Sequence, residues 1–124
     1  MPSSKEHLEK ARRNYVLYER FQTEAQDPDW ALTLLFYAAL HLVQAYAVQD
    51  CARRNRPAPR HHTERLGYVR DRLASIFRSY RRLQSGSEQA RYDLVLPTSE
   101  EVQEYHDAEF AAIRTELGRR GVTL

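Results

Sequence analysis

The side chains best suited to chemistry crowd the middle of the chain. Between Arg53 and Arg82 there are ten arginines against Glu64 and Asp71, a local excess of +8. Residues 1–30, 31–52 and 83–124 carry −1, −1 and −4, which brings the whole to +2. Every basic position in the block is Arg, whose planar fork matches phosphate oxygens two at a time. Charge segregated in this way sets up a field that attracts polyanions. The alternative is that these arginines solvate helix faces and pair with the acidic C-terminal third. Composition alone leaves both open. Overlapping the start of the block, Cys51 to His62 (CARRNRPAPRHH) ends on two adjacent histidines.

Other chemistries find little support. Cys51, His61 and His62 are the only clustered soft ligands, and adjacent histidines point apart on a regular backbone, so no zinc set is expected. Four scattered glycines exclude a phosphate-cradling P-loop or a dinucleotide fingerprint. No Ser/His/Asp set is identifiable, and no cofactor is expected. Cys51 has no partner for a disulfide and reads as a small structural residue at a helix end. MPSSKEHLEKARRNY has no apolar core for a signal peptide, so a reducing cytoplasm is the expected setting. Among the remaining candidates, His41 reads as a hydrogen-bonded core residue, and His7 and His106 as residues of helix surfaces. The spacing of Phe77 and Tyr80 assigns both to the core, and Tyr92 is expected there too. Tyr68 is left open.

The elements that must position these residues are helical. Trp30 to Val48 (WALTLLFYAALHLVQAYAV) is apolar nearly all round, interrupted by Thr33, His41 and Gln44, so a helix there must be surrounded. Its small and ring-bearing residues and its mid-span His41 and Gln44 favour a bundle core over a membrane span. Before it, Ser3 to Glu6 is a capping box that starts an amphipathic helix over about 4–25. Asp27-Pro28 caps and opens the central helix, which is expected to run to about Asp50. Pro57 and Pro59 make the following stretch a basic loop. Thr63 is expected to cap a third helix, with a bend or break near Arg72–Ser75 and a fourth helix to about Tyr92. Gly86 is a weak point inside that helix. Leu94 to Pro97 forms a short apolar connection. A second capping box, Thr98 to Glu101, starts a last helix that Gly118 and Gly121 end. The expectation is one all-α domain over 1–124, an up-and-down bundle of four to five helices.

This order of features resembles the HEPN superfamily of small helical domains. The resemblance rests on Phe36-Tyr37-Ala38-Ala39-Leu40-His41 with Ala45-Tyr46, then the basic His-bearing loop Pro59 to Arg65. It continues in Ala90-Arg91-Tyr92-Asp93 and in the Ser/Thr–Glu start of the last helix at Thr98 to Glu101. It covers roughly Trp30 to Leu117. The resemblance implies a dimer that binds RNA or a nucleotide and acts as a metal-independent ribonuclease of toxin or defence type. The signature implied is an Arg, four to six residues, then a His. Arg56 to His61 and Arg54 to His61 match it, with Asn55 as the polar residue after Arg54. The catalytic candidates are therefore Arg54, Arg56, His61 and His62, and the nucleic-acid-binding candidates Arg53, Arg60, Arg65 and Arg91. An imidazole near neutrality can exchange the 2′-hydroxyl proton, and a fixed guanidinium can stabilise charge on the phosphate.

The competing expectation is a catalytically inactive dimerisation or interaction module. It would partner another protein, such as a nucleotidyltransferase. No His follows Arg91 within six residues, and the last helix is acidic enough to meet the basic block of a second copy.

Overall fold

A computed structural model describes residues 2–24, 27–93 and 96–124. Among them every regular element is helical. The helices are α1 (Ser4–Glu24), α2 (Pro28–Arg53), α3 (His62–Arg72), α4 (Phe77–Tyr92), α5 (Ser99–Tyr105) and α6 (Ala111–Arg119). A 3-10 turn, Ala74–Ile76, separates α3 from α4, where the bend was expected. A π-helical segment, His106–Phe110, joins α5 to α6, so the last helix is one rod with a widened turn in it.

Both capping boxes form. Ser3 Oγ accepts from the Glu6 amide and the Glu6 carboxylate from the Ser3 amide, each at 3.1 Å. Thr98 and Glu101 repeat the exchange at the start of α5. The other two expected caps do not. Asp27 precedes Pro28 at the start of α2, but its side chain makes no capping bond. At α3 the cap position is His61 rather than Thr63, and it too lacks a side-chain capping bond. Glu64 takes over part of that role, accepting the Arg60 amide at 3.0 Å.

The α2 helix runs one turn past Asp50 because Asn55 stops it. Asn55 sits at φ 54°, the left-handed region that Asn tolerates better than other side-chain-bearing residues. The amides of Asn55 and Arg56 then turn back to the carbonyls of Ala52 and Cys51, a Schellman stop. Gly121 (φ 91°) and Val122 end α6 in the same way.

The central helix behaves as its composition demands. α2 packs against every other helix, most extensively against antiparallel α1. Leu32, Leu35, Phe36, Leu42 and Val43 are fully buried, and Leu73, Tyr80, Leu83, Phe110, Ile113 and Leu117 close over them from the other helices. By length and composition α2 could cross a membrane, but most of its apolar stretch is buried inside the bundle. Its first residue departs from the pattern, since Trp30 is 55% exposed. Tyr92, expected in the core, is 79% exposed at the end of α4. In the connection after it, Leu94 and Val95 lie outside the described residues, and Leu96 is exposed. Gly86 is buried against Tyr105, whose ring occupies the space a side chain would need.

Candidate functional site

The arginine block is divided by the fold into groups with different partners. The first group closes on Asp50, near the C-terminal end of α2, whose side chain is 5% exposed. Arg72 reaches its two carboxylate oxygens from Nε and Nη2 at 3.2 Å each, Tyr68 donates its hydroxyl at 2.8 Å and Arg54 donates at 3.3 Å. Arg53 stands 3.8 Å away and lies over the Tyr46 ring. Burial alone would raise the Asp50 carboxyl, but the hydrogen bonds from Arg72 and Tyr68 and the charges of Arg72 and Arg54 outweigh it and bring it down to about 2. Tyr68, left open by the sequence, belongs to this network. Cys51 is buried beside it, as a structural residue would be.

The second group lies where α1, α2, α3 and α4 face one another. Arg65, expected to contact nucleic acid, is 7% exposed. It donates Nε to Gln44 Oε1 at 2.8 Å, and Gln44 in turn donates to the Pro59 carbonyl at 2.7 Å. Together they seat the basic loop on the central helix. Near Arg65, His7 and His41 meet Nδ1 to Nδ1 at 3.0 Å with stacked rings. Burial, then the neighbouring charges of His7, Lys10 and Arg65, depress His41 to about 4. Burial and Arg65 also lower His7, against Glu6.

His62 opens α3 with its ring against Phe36. Its partial desolvation and the charge of Arg65 lower its pKa, Glu88 opposes the shift, and Arg91 and His61 add to it. Arg91 donates to Ser87 Oγ at 3.1 Å and lies over the rings of Tyr37 and Tyr92. The charge of Arg91 on α4 is thus felt at His62 on α3. Arg54 is held by Asp50, while His61 Nε2 pairs with Glu64 at 3.0 Å. Arg56 and Arg60 are exposed without an ion pair among the described residues.

The third group lies on α4. Arg78, Arg81 and Arg82 on the outer face of α4 line a groove of about 600 Å³ with Phe77, Ser85, Gly86, Gln89 and Tyr105. All three arginines are exposed. Arg82 meets Glu109 at 3.3 Å, whereas Arg78 and Arg81 have no acidic partner among the described residues. Phe77 was assigned to the core, and it is half-buried with one side on this groove. Arg78, Arg81 and Arg82 belong to the basic block visible in the sequence but are not among its candidate site residues. Their i, i+3, i+4 spacing would have placed them on one helix face. Tyr105 could not have been found that way, because it arrives from α5.

His106, expected on a helix surface, is half-buried. Its Nε2 meets the Tyr15 hydroxyl and its Nδ1 meets Asp107, both at 2.8 Å, with Tyr18 stacked on the ring. No group of three or more His, Cys, Asp or Glu residues suited to a metal occurs among the described residues. Compared with known proteins, the chain matches no family model, and no curated protein and no solved structure gives a significant match.

Proposed function

We propose that the chain is an RNA- or nucleotide-binding helical domain that takes phosphates in the α4 groove. One observation carries this reading. Arg78 and Arg81 stand exposed and unneutralised beside Arg82 over a groove bordered by Phe77 and Tyr105. Guanidinium groups for phosphates beside rings for bases are the two components of single-strand binding. The HEPN-like order of the sequence elements supports the same class, a cytoplasmic homodimeric ribonuclease of toxin or defence type. Within that reading His62 is the proton acceptor. Its lowered pKa leaves the imidazole neutral at physiological pH, and Arg91 supplies the nearby positive charge.

The test is equilibrium binding of a short single-stranded RNA across a salt series. For single strands the slope of log affinity against log salt is about 0.7 per phosphate contact. Replacing Arg78 and Arg81 with Gln should therefore reduce it by about 1.4. Binding that is flat in salt, or unchanged in the double variant, removes the reading. Incubation of RNA in EDTA beside His62→Ala tests the catalytic part separately.

Four exposed large apolar side chains, Val16, Trp30, Tyr92 and Leu96, favour a second reading. In it the domain is an inactive module that docks on another protein, such as a nucleotidyltransferase, or on its own copy. A stable dimer or recovered partner without RNA binding would select it.

A further inference from the structure

The α4 groove does not end at Tyr105. A second recess of about 360 Å³ adjoins it, lined by Arg82, Glu101, Glu104, Tyr105, Ala108 and Glu109. Arg82 and Tyr105 line both cavities. The charge therefore changes sign between two adjoining recesses, from Arg78 and Arg81 in the first to carboxylates in the second. The carboxylates are not equivalent. Glu109, with its side chain 11% exposed, is committed to Arg82. Glu101 accepts the Thr98 amide in the capping box. Glu104 is exposed and has no hydrogen bond or ion pair among the described residues.

Tyr105 is set between the two halves by two local features. The absence of a side chain at Gly86 lets the ring lie against α4, since a Cβ there would stand 2.7 Å from Tyr105 Cζ and Oη. The π turn at His106–Phe110 begins immediately after Tyr105 and carries Glu109 inward to Arg82. Widened turns of this kind recur at ligand sites because they re-aim side chains.

We infer that the two recesses form one bipartite site for a guanine nucleotide, with phosphate on Arg78 and Arg81 and the base edge on Glu104. The inference rests on the nucleotide-binding reading above. A backbone phosphate is repelled from the acidic half, so what enters there must offer hydrogen-bond donors. Guanine presents two adjacent donors, N1–H and the 2-amino group, which match the two oxygens of a carboxylate. Adenine and cytosine place a ring acceptor beside their amino group, and uracil flanks its single N–H with two carbonyls. Each of those sets a lone pair against Glu104. The base must also be unpaired, since its Watson–Crick edge is what the carboxylate reads. Tyr105, shared by both recesses, supplies a ring for it to stack on.

Four uridine hexamers test this, carrying guanine, inosine, adenine or only uridine at the third position, bound to the whole protein by fluorescence anisotropy. The guanine hexamer should bind about tenfold more tightly than the all-uridine one, within the range of a bidentate base contact. Inosine, which keeps N1–H and lacks the 2-amino group, should fall between them. Glu104→Gln should abolish the discrimination and leave the all-uridine affinity equal or higher, because a carboxylate no longer faces the phosphates. Arg78→Gln should weaken all four hexamers alike. Equal, salt-sensitive binding of the four by the wild-type protein overturns the guanine inference and leaves the nucleic-acid reading standing. Discrimination that persists in Glu104→Gln overturns the assignment to that residue. No binding of any hexamer overturns both.

Discussion

Replacing Asp50 with Asn would leave the shape of the polar cluster on α2 and remove its only negative charge. The wild-type carboxyl lies near 2, against 3.8 for an unperturbed aspartate. At 1.36 kcal/mol per tenfold in affinity for the proton, the ionised form contributes about 2.4 kcal/mol at pH 7. The sign follows from the direction of the shift. A depressed carboxyl stabilises the fold above its unfolded value of 3.8 and loses that contribution as pH falls toward 2. At pH 3 it is about 1.3 kcal/mol. The variant should accordingly be less stable than the wild type by about 2–4 kcal/mol at pH 7, the upper part arising from three guanidinium groups left without a counter-charge. That gap should narrow by about 1 kcal/mol at pH 3. Urea unfolding of both proteins at the two pH values measures it. Tyr68→Phe, which removes one hydrogen bond to the same carboxylate, should cost only about 1 kcal/mol. A gap below about 0.5 kcal/mol at pH 7, the size of an exposed ion pair, or one that widens in acid, would refute the argument.

Two further perturbations follow from the packing. His41 is depressed to about 4 from 6.5, so the unfolded chain takes up a proton first, and stability should fall by about 2–3 kcal/mol between pH 6.5 and 4. Asp50 stays ionised across that window. Thermal melts of wild type and His41→Gln should diverge there, and parallel curves would count against the half-buried pair with His7. Gly86→Ala gains about 1 kcal/mol of helix propensity but sets a methyl 2.7 Å from the Tyr105 ring. The net should be a loss of about 1–2 kcal/mol, recovered when Tyr105 is also changed to Ser. An unaltered melting temperature in the single variant would mean that the ring moves freely.

The sequence carried most of the architecture because helices are encoded locally. Two capping boxes, Pro28 at the first turn, the prolines of the basic loop and the apolar Trp30 to Val48 run each act within a few residues of where they stand. They located α1, α2, the break after Arg72 and the start of the last helix. Local rules failed where a tertiary neighbour decided the outcome. The cap position of α3 falls at His61 rather than Thr63, with Glu64 accepting the Arg60 amide, and Asn55, read as part of an Arg–His signature, is the left-handed stop of α2. The π turn left no mark, since the apolar spacing across it reads as one uninterrupted helix.

For the candidate site the division is sharper. A +8 block is visible in composition, but charge on a chain is not charge at a surface. Asp50, outside the block, engages Arg54 and Arg72 with Arg53 close by, and the interior takes Arg65. Arg78, Arg81 and Arg82 remain along a groove. His7 meets His41 because separate helices deliver them. The residue types, their helical phase and the net field belong to the sequence by itself. Which charges are neutralised, and which are left facing a cavity, was decided only by the packing of helices, because pair energies depend on distances that no spacing along the chain specifies.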